Sequence, residues 1–373
     1  MPAPLEGLRV VELARILAGP WAGQVLADLG AEVVKVEAPE GDDTRSWGPP
    51  FITREGDGPE GRSAAYFHAA NRGKRSVIAD FRTPEGQARV RELVAGADIL
   101  IENFKLGGLA KYGLDWESLR AVNPRLIYCS ITGFGQDGPY AARAGYDYII
   151  QGMSGLMSVT GEPSGQPQKV GVAVVDIFTA LYATTGILAA VEQRHRTGRG
   201  QQVDMALMDV GVAVMANQAM NYLASGTAPV RLGNAHPNIV PYAVFDCADG
   251  WIIIASGNDG QYRRLCEVLG MPGLAEAPDY RSNADRIANR EALTAALTAA
   301  TKGWKRDDLL AALERAGVPA GPINDMADVF ADPQVIARGL RIEPEGVPGV
   351  RTPIRFSEAE LSLDRASPKL GGG

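Results

Sequence analysis

Cysteine and histidine are scarce in this chain. Three cysteines, Cys129, Cys247 and Cys266, are spread over 373 residues with no close spacing. That excludes a disulfide framework and a thiolate metal site, and it fits a reducing compartment. Three histidines, His68, His195 and His236, are too few for a histidine-rich metal centre, so no metal is expected. There is no basic tail or arginine stripe. The 37 basic and 44 acidic residues leave a net charge of −7, so nucleic acid is not an expected partner. The opening MPAPLEGLRVVEL lacks a charged n-region and an apolar h-region. No secretory signal is read, and the expected location is the cytoplasm. The longest apolar run, Val170 to Val191, is interrupted by Asp176, Tyr182, Gly186 and three threonines. Charge at that depth is expensive in lipid, so the run is read as core and no membrane is expected as a partner. The first strand–helix turn has no G-x-G-x-x-G, so a dinucleotide fingerprint is missing.

What is present is ordinary for a globular enzyme of two domains: 46% hydrophobic and 22% charged residues. Leu8–Leu13 reads as a strand, broken by Ala18-Gly19-Pro20. Trp21–Leu29 reads as a helix ended by Gly30, and 32–37 as a second strand, which makes a βαβ unit. Residues 38–65 read as a long loop. Strands follow at 76–81, 98–102, 126–131 and 202–206. The helix between the first two starts at Thr83-Pro84, a cap followed by proline at the first helical position. This alternation predicts a doubly wound α/β sheet, with ligands outside the carboxyl ends of the strands. Asn71-Arg72-Gly73-Lys74-Arg75 is either a phosphate-binding turn or a solvated loop. After a Gly/Pro/Asn-rich connection, 226–241, a smaller domain is expected. It holds a hairpin at 242–256 and helices at 260–269, 284–301, 306–315 and 324–338. The end of the chain from Leu370 is expected to fray.

The stretch KVGVAVVDIFTALYATTGILAAVEQRH, Lys169–His195, carries the most pointed question. Val170–Val175 reads as a buried strand and Ile177–Val191 as a helix. Asp176 stands at the junction. A carboxylate in apolar surroundings is costly unless it is hydrogen-bonded or lies at a helix N-terminus. It reads as an N-cap, and it can be cap and reactant at once.

The motifs LARILAGPWAGQVLADLGAEVVKVE, NRGKRS, DFRTPEG, ADILIENF, NPRLIYCSITGFGQDGPY, GYDYIIQGMSG, VAVVD, HRTGRGQQVDMALMD and VPAGPIND, in this order and spacing, resemble the class III CoA-transferases. That family contains formyl-CoA transferase and also α-methylacyl-CoA racemase. The resemblance implies a Rossmann-like large domain with a smaller α/β domain, in an interlocked homodimer. The domains would be 1–225, completed by 330–373, and 226–329. It implies no permanent cofactor, with a CoA thioester as substrate, a carboxylic acid as acceptor, and Asp176 as nucleophile. CoA contacts would fall on Ala18, Asn71, Arg72, Lys74, Asn103, Phe104, Lys111 and Thr132. Lys111 stands where formyl-CoA transferase has arginine, and Thr132 where it has lysine. Leu17 replaces a glutamine, and Ala38 replaces an arginine for which Arg45 or Lys35 would substitute. Tyr146 occupies the histidine position of the racemases, thirty residues before Asp176. A tyrosine is a poor base for an α-proton at neutral pH, which ranks racemase below transferase. A non-catalytic CoA-binding protein is the third reading. GYDYIIQGMSGLMSVTGEP and RLGNAHPNIVPY look like members that use dicarboxylic acids. Arg15, Tyr146, His236 and Arg231 are the candidates around the second carboxylate.

Overall fold

The computed structural model describes residues 1–58 and 60–372. The chain divides into two compact units. The first comprises 1–156, 169–227 and the segment from 333 onward; the second comprises 157–168 and 228–332.

In the first unit, β1 (Arg9–Glu12), α1 (Ala18–Asp28) and β2 (Glu32–Glu37) form the expected βαβ unit, with Arg9 paired in parallel to Glu32. α1 starts three residues earlier than expected. Pro20 is tolerated there because a first-turn N–H has no intrahelical acceptor. Gly30 closes the helix at φ +101°. The stretch expected to be a plain loop holds a 3₁₀ turn, Asp43–Ser46, and an antiparallel hairpin, β3 (Phe51–Thr53) with β4 (Arg62–Ala64). Then follow α2 (Ala65–Ala69), β5 (Arg75–Ile78) and α3 (Pro84–Ala95), the last capped by Thr83 Oγ1, which accepts from Gly86 N at 3.1 Å. Further along come β6 (Ile99–Glu102), α4 (Trp116–Val122), β7 (Ile127–Thr132) and α5 (Asp147–Met153); the short α6 (Leu156–Val159) belongs, after its first residue, to the second unit, and the first unit resumes with α7 (Val174–Thr197), β8 (Gln202–Ala206), α8 (Leu207–Ala213) and α9 (Ala216–Ser225).

Six parallel strands lie in the order β5-β2-β1-β6-β7-β8. The order reverses between β1 and β6, so the crevice for a ligand opens at the exits of those two strands. One face of the sheet is covered by α1 and α7, through Ala22, Leu26, Ala183 and Ile187 against Ile99 and Ile131. The other is covered by α3 and α4, through Val90, Val94 and Leu119 against Leu100 and Tyr128. Each such fully buried aliphatic side chain contributes about 1.5–3 kcal/mol of transfer free energy. α7 is the one helix among the described residues long and apolar enough to cross a membrane. Here its Val175, Ala180, Ala183 and Ile187 are fully buried in this core.

Three expectations are corrected. Val170–Val175 is not a strand. Val172 is 63% exposed, and α7 already begins at Val174. The backbone there is satisfied by side chains instead of a neighbouring strand: Gln151 Oε1 accepts from Val170 N at 2.9 Å and Asp147 Oδ1 from Val175 N at 2.8 Å. Residues 208–223, whose run of alanine, valine and methionine predicts one helix, form two, and Ala216, at φ +43°, opens the second. The C-terminal end does not fray within the described residues. Gly371 N donates to Ser76 Oγ at 3.0 Å and Gly73 N to Ala366 O at 3.2 Å.

The second unit is a three-stranded antiparallel sheet, with β9 (Tyr242–Cys247) and β10 (Gly250–Ala255) as the expected hairpin. β11 (Ala320–Pro322), in a stretch whose two prolines and glycine predict a helix break, adds to β10. Helices Asp259–Val268, Arg290–Thr301 and Arg306–Arg315 cover the sheet, with Phe245, Ile252, Leu265, Leu297 and Leu313 in the core. Arg286 is also buried, with Nε donating to Val240 O at 2.7 Å and NH2 to Asp259 at 2.7 Å.

Candidate active site

Asp176 sits in the first turn of α7, and Ala173 is the cap residue. The expectation that Asp176 is the N-cap is therefore replaced. The capping is done by Asp147, the first residue of α5. Its Oδ1 accepts from Val175 N at 2.8 Å and from Asp176 N at 3.3 Å, while Oδ2 accepts from Gln151 Nε2 at 2.6 Å. A carboxylate borrowed from another helix satisfies the orphan donors and leaves the Asp176 side chain free. The Asp176 carboxyl is pushed up to about 7, first by burial and then by the negative charge of Asp147. At neutral pH it is therefore shared between a protonated and an ionised form, the second being a poorly solvated nucleophile.

Two aromatic residues that sequence reasoning missed join this pair. Tyr66, half-buried at the start of α2, has its hydroxyl pushed up by burial and then by Asp176 and Asp147. Trp47 meets Tyr66 edge-on, with ring centroids 5.4 Å apart. Both lie in or next to the stretch read as a loop, and their only sequence signal was two large aromatics among glycine and proline. Tyr146, the residue before Asp147, is 62% exposed.

At the switch between β1 and β6 a second constellation forms. Arg15 N donates to Asn103 Oδ1 at 2.9 Å and Asn103 Nδ2 donates to Arg15 O at 2.7 Å, a reciprocal clasp between the two strand exits. Ile16 beside it has φ +73°, a genuine outlier for a β-branched residue and a conformation the surroundings must enforce. Ala18 opens α1 and is buried. The Arg15 guanidinium pairs with Asp43 at 3.0 Å and lies 5.5 Å from the Phe104 ring centroid. Phe104, Phe81 and Tyr112 pack edge-on in series at 5.4 Å spacings, and Lys111 Nζ is 4.7 Å from the Tyr112 centroid. This is a cluster of edge-packed rings bordered by cations, which offers single ring faces to a nucleobase and positive charge to its phosphates. Thr132 is buried, with Oγ1 accepting from Gly135 N at 2.9 Å.

Asn71, Arg72 and Lys74 are buried, and their polar groups have partners inside the protein. Lys74 Nζ contacts Glu12 Oε1 at 2.9 Å, Asn71 Oδ1 at 2.8 Å and Pro20 O at 2.7 Å. Lys35 Nζ meets the same Glu12 at 3.1 Å and Asp42 at 2.8 Å. Burial pulls Lys74 down to about 8 against the attraction of Glu12. For Lys35, burial is outweighed by Glu12, Asp42 and Glu37, and its ammonium is held. Arg72 forks onto Asp28 at 2.6 and 3.0 Å. Arg45 is likewise buried on Glu37 and Asp57, at 2.7 and 2.9 Å. The basic loop thus supports the floor of the crevice from beneath. In the second unit, Arg231 clasps the 162–165 turn through Glu162 O at 3.1 Å and Gly165 O at 2.9 Å. His236 accepts from Asn238 N on Nδ1 at 3.0 Å and packs on Tyr242. Among the described residues no group of three or more His, Cys, Asp or Glu side chains could hold a metal ion.

Comparison with known proteins gives a consistent result. The family model for CoA-transferase family III matches residues 5–373. A succinate–glutarate CoA-transferase of Agrobacterium fabrum is 61% identical, over 99% of this chain and 93% of its own length. The human succinyl-CoA:glutarate CoA-transferase is 41% identical, over 99% of this chain and 84% of its own length. The crystal structure of a CaiB/BaiF family protein from Brucella suis superposes with a TM-score of 0.91 at 65% identity, covering 100% of this chain and 97% of that one.

Proposed function

This chain belongs to CoA-transferase family III, and from that premise we propose that it carries CoA from succinyl-CoA to a second dicarboxylic acid of the glutarate type, with Asp176 as the covalent carrier. The observation that supports this most directly is the Asp176 carboxyl itself: at a helix start, relieved of capping by Asp147, and ionised only in part at neutrality. The ionised oxygen attacks the thioester carbonyl of the donor. An aspartyl–acyl anhydride forms and the C–S bond breaks, releasing CoA thiolate. The thiolate then attacks the aspartyl carbonyl of the anhydride, giving an aspartyl-CoA thioester and the free donor acid. The acceptor carboxylate attacks that thioester, displacing the thiolate again. The thiolate finally attacks the acceptor's acyl carbonyl in the second anhydride, so the acceptor leaves as its CoA ester and Asp176 is regenerated. No net proton is consumed. Ala18, Asn103, Phe104 and Lys111 carry the CoA. Asn71, Arg72, Lys74 and Thr132 shape the turns beneath it. Arg15, Tyr146 and His236 are the residues to examine for the distal carboxylate, and the dicarboxylates after which both relatives are named, succinate and glutarate, motivate that choice.

The working form in this proposal is an interlocked homodimer in the cytoplasm, built from a large domain, 1–225 with 330–373, and a small domain, 226–329. Its support is the apolar surface of the first unit. Phe178, Leu181 and Tyr182 on α7, and Tyr148 and Ile149 on α5, remain exposed, large apolar side chains of the kind that subunit interfaces cover. Sedimentation as a monomer at micromolar concentration would count against it.

The chemical test is trapping. The enzyme is incubated with succinyl-CoA, treated with hydroxylamine or borohydride, and mapped by peptide mass spectrometry. Modification of Asp176, absent in Asp176→Ala, is the expected result. Modification of another carboxylate, or none with a panel of acyl-CoA donors, refutes the proposal. Deuterium from solvent entering the α-carbon of a 2-methylacyl-CoA without an acceptor acid would instead indicate racemase chemistry.

A further inference from the structure

We propose that the first unit holds a second binding site, for a small oxyanion carrying two or more negative charges, in the cavity between the β3–β4 hairpin, the start of β5 and the C-terminal segment 365–372. The cavity measures ≈ 890 Å³, and its wall includes Arg54, Arg75, Arg365 and Lys369 against one carboxylate, Glu345. That carboxylate is already engaged. Its Oε2 accepts from Ala366 N at 3.1 Å and lies 3.8 Å from Arg54. No carboxylate among the described residues pairs with Arg365 or Lys369. Arg75 reaches Glu32 with NH1 at 2.8 Å, but its Nε is buried with no acceptor among the described residues. That donor has no solvent-accessible surface and stands behind the wall; what the cavity itself presents is an excess of positive charge over one engaged carboxylate.

The wall is also held in place. Arg54 NH1 donates to Ser367 O at 2.6 Å, Arg45 NH2 to Pro368 O at 3.1 Å and Gly371 N to Ser76 Oγ at 3.0 Å. Residues 366–368 are buried between them. Arg365 and Lys369 flank this pinned segment, so their cationic ends project from fixed backbone. Guanidinium groups favour oxyanions that accept in a planar, bidentate manner, and four cations around one volume favour multiple charge over chloride. None of Asp176, Asp147, Arg15, Asn103, Phe104 and Lys111 lines this cavity; Lys74, whose ammonium is paired with Glu12 beneath the crevice, does. Arg75 opens β5 just as Glu32 opens β2, whereas Asn103 and Thr132 lie at the carboxyl ends of the strands.

The test is thermal unfolding of the full chain at constant ionic strength in pyrophosphate, orthophosphate or citrate, with chloride as reference. At least one oxyanion should raise Tm by about 2–4 °C in a saturable way, through mass action on the folded state. In Arg365→Gln/Lys369→Gln the apparent affinity should fall by about tenfold or more, from the loss of two charge-assisted contacts, while the rate of CoA transfer stays at the wild-type level. The phosphate and citrate arms separate a phosphate-bearing ligand from a polycarboxylate. Should the double variant unfold early, titration calorimetry on Arg365→Gln and Lys369→Gln singly should show weakened binding in each. No oxyanion effect beyond chloride in the wild type overturns the proposal. So does an effect that the substitutions leave intact, because the anion then binds elsewhere.

Discussion

Replacing Asp147 by asparagine removes its negative charge, together with the hydrogen bond that its Oδ2 accepts from Gln151 Nε2. Asparagine keeps a carbonyl oxygen to accept from Val175 N and Asp176 N, so the start of α7 stays capped, but the negative charge is gone. In the wild type, with Asp176 pushed up to about 7, about a tenth of the enzyme carries the nucleophilic carboxylate at pH 6 and about nine tenths at pH 8. The single-turnover rate of CoA release from succinyl-CoA should therefore rise about tenfold between those pH values. In Asp147→Asn the midpoint should move down, because a like charge no longer opposes ionisation. It should remain above 3.8, because burial is the larger cause and is unchanged. Stopped-flow detection of the released thiol across pH 5–9 reads both profiles. A midpoint that stays put or rises in Asp147→Asn refutes the coupling. A wild-type rate that is flat from pH 6 to 8 refutes the assignment of Asp176 as the titrating nucleophile.

Other outcomes follow from the same geometry. Asp176→Asn should be more stable than wild type at pH 8 and no different below pH 3.8. A carboxyl whose folded pKa is raised lowers stability as pH rises from 3.8 through about 7. The full shift corresponds to about 4 kcal/mol, reduced to about 2 for a partly exposed group, and urea unfolding at the two pH values checks it. Glu102, pushed up to about 7 by burial, predicts the same sign for Glu102→Gln, with the advantage growing between pH 4.5 and 7 and level above that. Gly133→Ala should slow transfer by about tenfold or more while the far-ultraviolet spectrum stays native. Its new Cβ would stand 2.6 Å from Gly145 Cα and would displace the loop that leads to Tyr146 and Asp147. Arg286→Leu should destabilise the second unit by about 1–3 kcal/mol in chemical denaturation, by orphaning the carbonyls of Val240 and Tyr280.

Local signals read true where the physics is local. Thr83-Pro84 announced its helix because cap and first-turn proline act within three residues. The strands of the sheet declared themselves by apolar runs of the right length, and Asp176 stood out as a charge where apolar residues surround it. What stayed illegible depends on partners distant in sequence. The cap of α7 comes from Asp147, 29 residues before Asp176. The valines at 170–175 looked like a strand because their propensity is high, yet no strand was there to pair with them, and side chains of α5 satisfied the backbone instead. Asn71, Arg72 and Lys74 read as a phosphate turn because lysine and arginine beside glycine look the same whether free or paired. Glu12 and Asp28, which pair with them, are 62 and 44 positions away. Tyr66 and Trp47 could be recognised only once a hairpin had folded their stretch beneath the Asp176 carboxyl.

The first unit is assembled from three separate pieces of chain, and its last piece begins only at residue 333. That order has a consequence for biosynthesis. The six strands emerge from the ribosome first, but Arg45, Arg54 and Arg72 then wait for their acceptors at Pro368, Ser367 and Val350. The bulk of the second unit, roughly 100 residues, must be translated in between, which takes about 5–20 s. During that interval the nascent sheet carries three arginines short of their final partners and an uncovered edge at β5. The inserted unit, whose core comes from one nearly continuous stretch, has all it needs to fold before the earlier one can finish.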